Sequence, residues 1–178
     1  MKTRANCKLL PVFTTLLLVF LVAASGMAQT KMSGSGTCGK ADVEHSLAVP
    51  DSPGQTFWIG QGKCTWSKPW EIEGQATTGG ATTSFMRVSG NTTHVTEVYV
   101  DTFANGDKVF YLYNETGTMK NKVPQPTTGK WTITSATGKF KGIKGSGGCS
   151  ITPAADGGAG FECEGEYTMP AAKPAKKM

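Results

Sequence analysis

The sequence predicts an all-β fold, an antiparallel sandwich or barrel. Three observations carry this. No long segment places apolar residues at helical spacing. Short runs rich in Val, Thr, Tyr, Phe and Trp recur along the chain, divided by Gly, Pro, Asn and Asp, which is the pattern of strands joined by turns. Some runs alternate small or aromatic residues with polar ones, as half-buried strands do.

Residues 1–28 read as a signal peptide. Lys2, Arg4 and Lys8 precede the apolar run "LLLVFLVAA", which is too short for a membrane span. Gly26 and Ala28 are small residues at the −3 and −1 positions of a cut after Ala28. The mature chain is therefore expected to be secreted or periplasmic, without stable membrane insertion. Removing Lys2, Arg4 and Lys8 takes the formal charge from +5 to +2. Lys173, Lys176 and Lys177 lie in the Pro/Ala/Lys-rich segment 170–178, expected to be a disordered basic tail. The body between is close to neutral and carries no nucleic-acid footprint. "QTKMSGSGT", residues 29–37, reads as a flexible leader, and the barrel domain is placed at residues 38–169. Cys7 leaves with the signal, so Cys38, Cys64, Cys149 and Cys163 remain. An even count in an exported chain points to two disulfides. No CxxC pair occurs, so neither a thioredoxin motif nor a zinc knuckle is supported.

The first aromatic strand is "TFWIGQGKCTW", which puts Trp58, Gly60, Gly62, Cys64 and Trp66 on one face. Next comes the hairpin "VTEVYVDTFANGDKVFYLYN". Asn105-Gly106 between two β-rich runs signals a two-residue type I′ turn. That turn sets Phe103 opposite Lys108 and Asp101 opposite Phe110. Val98, Val100, Val109, Tyr111 and Tyr113 then share one face, and Tyr99, Phe103, Phe110 and Leu112 the other. Apolar bulk on both faces predicts a hairpin covered on both sides. Glu97 and Asp101 fall on the second face, as rim charges or a carboxylate pair for acid–base work. In "KWTITS", Trp131 and Ile133 share a face.

The glycine-rich stretch "ATGKFKGIKGSGGC" follows. It fails as a phosphate cradle. A P-loop ending at Gly138-Lys139 needs glycine at 133, where Ile133 stands, and one built on Gly142 and Gly147 needs lysine at 148, where Gly148 stands. A dinucleotide fingerprint from Gly145 needs glycine at 150, where Ser150 stands. Strand pairing accounts for the glycines instead. Folding the chain near Asp156-Gly157-Gly158 sets Cys149 against Cys163, Ile151 against Phe161, Gly147 against Gly165 and Gly145 against Tyr167 on one face. Ser150, Glu162, Gly148, Glu164, Ser146 and Glu166 take the other. A Cys149–Cys163 disulfide follows, leaving Cys38 and Cys64 as the second pair. Phe140 is expected to plug the core from the preceding turn.

Glu162, Glu164 and Glu166 form a flat row, which does not supply the converging oxygens a calcium site needs. His45 and His94 stand in no recognisable nucleophile or metal motif. No catalytic residue, metal or cofactor is assigned.

"GKCTW" (Gly62 to Trp66), "NGDKVF" (Asn105 to Phe110), "TGKFKGIKGSG" (Thr137 to Gly147) and "EGEY" (Glu164 to Tyr167) resemble the allene oxide cyclase-like barrel family, in particular its small exported bacterial members of unassigned role. The resemblance implies a calycin-like antiparallel barrel of about eight strands with a central cavity. In plant members that cavity cyclises an unsaturated fatty-acid epoxide, but the plant catalytic residues have no counterparts that can be placed here. The leading expectation is a non-enzymatic exported barrel binding a small apolar or amphipathic molecule in its lumen. Trp58, Trp66, Trp131, Phe140 and Tyr167 are the lumen candidates. The alternatives are an isomerase or cyclase acting on an oxidised lipid, and a carbohydrate-binding module that uses exposed Trp58, Trp66 or Trp70 as stacking platforms.

Overall fold

The computed structural model describes residues 29–171; the expected signal peptide and most of the expected basic tail lie outside the described residues. The elements in order are β1 (Thr30–Cys38), β2 (Val43–Ala48), β3 (Gln55–Lys68), β4 (Glu71–Ile72), β5 (Gln75–Ser89), β6 (Thr92–Phe103), β7 (Lys108–Lys120), β8 (Val123–Pro124), β9 (Thr127–Ala136), a single 3-10 turn (Gly138–Phe140), β10 (Lys144–Pro153) and β11 (Ala159–Thr168). Every pairing is antiparallel. Eight strands, β3-β1-β11-β10-β9-β7-β6-β5, close into a barrel because β5 returns to pair with β3. Closure removes the exposed edges of an open sheet. β2 continues along the edge of β3 beyond the end of β1.

The leader expected at residues 29–37 is instead mostly strand β1, which seals the barrel between β3 and β11. Its Gly/Ser content reads like a linker, yet Met32, Gly34 and Gly36 are buried while Lys31, Ser33 and Thr37 are exposed. The small residues face rings. A Cβ on Gly34 would stand 2.7 Å from the Trp66 indole, and one on Gly36 2.6 Å from the Phe161 ring. Glycine here makes room for aromatic neighbours rather than for motion.

The β10–β11 register is the one the sequence reading places, with Cys149 opposite Cys163, Gly147 opposite Gly165 and Gly145 opposite Tyr167. Cys149 is bonded to Cys163, and Cys38 to Cys64. The first staples a hairpin and the second ties β1 to β3. Replacing Cys149 and Cys163 together by Ser is expected to lower stability by about 3 kcal/mol. Denaturant unfolding of both forms under non-reducing conditions measures it, and coincident midpoints would show that the hairpin does not need its staple.

The β6–β7 hairpin differs from expectation by one residue. Asp101 faces Val109 and Thr102 faces Lys108. Only Gly106 of the turn has positive φ, at 81°. The Gly106 amide donates to the Phe103 carbonyl, and the Phe103 amide donates to the Asp107 carbonyl. This is a three-residue loop, a type I turn followed by a left-handed glycine, and not the tighter I′ turn. The extra residue flips β7 relative to β6. Tyr99, Asp101 and Phe103 therefore share the inner face with Val109, Tyr111 and Tyr113, all six buried. The outer face is not covered as expected, since Val98 is 44% exposed.

The lower end of the barrel is closed. Phe140, in the 3-10 turn, packs on Phe103 with ring centroids 4.5 Å apart. Tyr167 accepts a hydrogen bond from the Glu73 amide at 3.0 Å. In the 3-10 turn, the Lys139 amide donates to Asp107 Oδ2 at 3.0 Å.

Candidate functional site

The register carries each inward side chain around the barrel in rows. One row runs Gly60, Ser84, Glu97, Tyr113, Trp131, Gly147, Gly165 and Met32 across all eight strands. The next row down contains Thr82, Tyr99 and Tyr111, and the next Gly80, Asp101 and Val109. Rings and glycines alternate between neighbouring strands. Tyr99 lies over Gly80 and Tyr113 over Gly129, while the single indole of Trp131 covers both Gly147 and Gly165. A strand surface without Cβ atoms lets a flat ring lie directly on the backbone, which fits wide aromatics into a narrow barrel.

These rings form a continuous floor. Trp70 is central, with centroids 4.8 Å from Trp66, 5.4 Å from Tyr111 and 5.4 Å from Trp131. Beneath it lies Asp101, with 0% exposure. It accepts hydrogen bonds from Trp66 Nε1 at 2.9 Å and Trp70 Nε1 at 2.8 Å. Its carboxylate fixes both indoles in place. Burial raises the Asp101 pKa to about 6, against the pull of the two indole hydrogen-bond donors. Burial first, and the Asp101 charge second, push the Tyr99 and Tyr111 phenols far up. The hydroxyls of Tyr99 and Tyr111 and Nε1 of Trp131 are buried without a hydrogen-bond partner among the described residues.

Above the floor the barrel opens into a cavity of about 360 Å³. Trp58, Trp66, Trp131, Phe161, Tyr99, Tyr111 and Tyr113 contribute aromatic wall, and Glu97 and Glu115 contribute carboxylates. Ser84 Oγ donates to Glu97 at 2.5 Å, and the Tyr113 hydroxyl donates to Glu115 at 2.6 Å. Burial, and then the charge of Glu97, raise the pKa of Glu115, while the Tyr113 hydrogen bond lowers it. At the rim, Trp58 Nε1 donates to Glu44 at 2.9 Å, and Lys40 stands 3.8 Å from Glu44.

Of the five lumen candidates, Trp58, Trp66 and Trp131 line the cavity. Phe140 and Tyr167 are buried at the closed end and do not reach it. Trp70, expected as an exposed platform on the carbohydrate reading, is 3% exposed inside the core. Trp58 and Trp66 also face the lumen, so the three tryptophans form no outer groove. Glu97 and Asp101 both point inward, but the indole floor separates Asp101 from the cavity. Sequence reasoning missed both Tyr113 and Glu115: the expected register puts Tyr113 on the face opposite Glu97 and Asp101, and Glu115 is given no face at all. With Gly106 alone in the left-handed region, the alternation Tyr111, Tyr113, Glu115 falls on the face of Glu97 and Tyr99.

No protein-family model matches the chain, and no curated protein does. Among solved structures, the chain is similar to two pterocarpan synthase dirigent proteins. One is 14% identical, with a TM-score of 0.49 over 82% of this chain and 97% of the other. The second is 15% identical, with a TM-score of 0.49 over 85% and 92%. It is also similar to a protein of unknown function from the DUF3224 family of Shewanella oneidensis MR-1, at 12% identity and a TM-score of 0.46 over 82% and 100%.

Proposed function

We propose that this is a non-enzymatic barrel that acts in an oxidising compartment outside the cytoplasm and binds one small apolar or amphipathic molecule in the upper half of its lumen. The observation that carries the reading is the aromatic cavity of about 360 Å³ above a rigid floor, a size that suits a small-molecule site. Two disulfides are consistent with such a compartment. Titrating tryptophan fluorescence with small aromatic and alkyl probes is expected to give saturable changes. Gly62 lines the cavity, and a Cβ there would meet nothing closer than 3.7 Å. Gly62→Leu therefore intrudes on the site and is expected to weaken the signal markedly. Unsaturable responses in wild type, or binding untouched by Gly62→Leu, would remove the reading.

The alternative of an isomerase or cyclase on an oxidised lipid is favoured by one feature, the Tyr113–Glu115 pair beside Glu97 on the cavity wall. A carboxyl that keeps its proton nearer neutrality is suited to general acid work. Turnover of a bound probe, lost in Glu115→Gln without loss of affinity, would select this alternative.

A further inference from the structure

We infer that the molecule this cavity takes is a small organic cation, its ammonium group held by Glu97 and Glu115 and its apolar or aromatic body lying against Trp58, Trp66 and Phe161. This rests on reading the lumen as a ligand site, and it adds the charge and polarity of the ligand.

Charge on the wall comes first. The acidic side chains lining the cavity are Glu44, Glu97 and Glu115, and among the described residues the basic one is Lys40. Lys40 sits at the rim with its side chain 66% exposed, and its ion-pair partner is Glu44. Glu97 and Glu115 thus face the cavity without a counter-charge. Each accepts a hydrogen bond from one neutral hydroxyl, Ser84 or Tyr113, and among the described residues neither forms another side-chain hydrogen bond. Half-buried carboxylates ordinarily find a cation. Here two share one wall and feel each other's charge. A bound cation would relieve both.

The rings point the same way. The face of an indole or phenol is the negative part of its quadrupole, and a cation within about 6 Å of it is attracted. Asp101 under the indole floor adds negative charge of the same sense. An anionic ligand would meet two unpaired carboxylates and ring faces that repel it.

Three matched probes test this at pH 7.5: 2-phenylethylammonium, neutral 2-phenylethanol and anionic phenylacetate. The cation is expected to bind about tenfold more tightly than the alcohol, or better, and the anion least. Glu97→Gln with Glu115→Gln is expected to erase the preference while leaving affinity for the alcohol in place, which also reports that the variant is folded. Equal binding of cation and alcohol in wild type overturns the inference but leaves a ligand site. Preference for the anion, or a cation preference that survives the double substitution, overturns it as well. Failure of all three probes and of longer alkyl analogues to bind removes the ligand-site reading itself.

Discussion

Gly147→Val is expected to lower the melting temperature by about 10 °C, through a loss of about 3 kcal/mol. A Cβ at Gly147 would stand 2.6 Å from the Trp131 ring and 2.7 Å from the Gly165 Cα, and it would also meet the Glu164 carbonyl oxygen. Two of these three neighbours are backbone of a hydrogen-bonded strand and cannot turn aside. Trp131 is pinned as well, packed against Trp70 and Tyr111. The cost therefore belongs at the upper end of the overpacking range. Gly62→Ala is the control. Its new methyl finds only ordinary contacts, at 3.7 Å and beyond. It should keep or slightly raise the melting temperature, because alanine lowers the entropy of the unfolded chain, while trimming the cavity. Thermal melts of the three proteins decide the matter. A Gly147→Val protein that melts with wild type would mean that the glycine preserves empty space, not a seat for a ring.

That contrast shows what was legible in the sequence. Inward glycines outnumber the rings that sequence alone can assign to them, which points to a partly open lumen without saying which part. In the structure one indole covers Gly147 and Gly165 together, and two rings that the expected register places on opposite faces, Tyr99 and Tyr113, both point inward and cover Gly80 and Gly129. The lower lumen is filled and the upper part is open. The β10–β11 hairpin was legible because two cysteines and alternating small residues fix its phase. The β6–β7 phase was not, since Asn-Gly serves a two-residue turn and a three-residue loop alike, and only the backbone conformation of Asn105 tells them apart. Strand β1 was hidden by its composition. Its β11 partners are 121 to 137 residues away, so nothing local distinguishes its glycines from those of a linker. The site lay in the same blind spot, because Glu115 joins Glu97 only across the correctly phased hairpin.

Asp101 should make the protein less stable as pH rises from about 4 to about 7. Its carboxyl titrates near 6 in the folded chain, against an ordinary value of 3.8. Between those values the native state holds a proton that the unfolded chain has released, so unfolding is favoured as pH increases. The contribution is fully present below about pH 4 and is lost as pH climbs through 6. A rise of two pH units corresponds to about 3 kcal/mol, and with the residue at 0% exposure solvent screens little of it. Glu115 is shifted in the same direction and adds to the slope. Comparing wild type with Asp101→Asn isolates the aspartate's share. The amide offers one oxygen to two indole N–H donors and turns its own N–H₂ towards the second, which costs about 1–3 kcal/mol. At pH 4 the variant should therefore be the less stable protein. By pH 7 wild type has lost its proton-linked stabilisation and the variant has not, so the gap closes or reverses. Urea unfolding at pH 4, 5.5 and 7 reads the difference directly. Parallel stability curves across that range would mean that Asp101 is ionised throughout, held by the two indole hydrogen bonds against its burial.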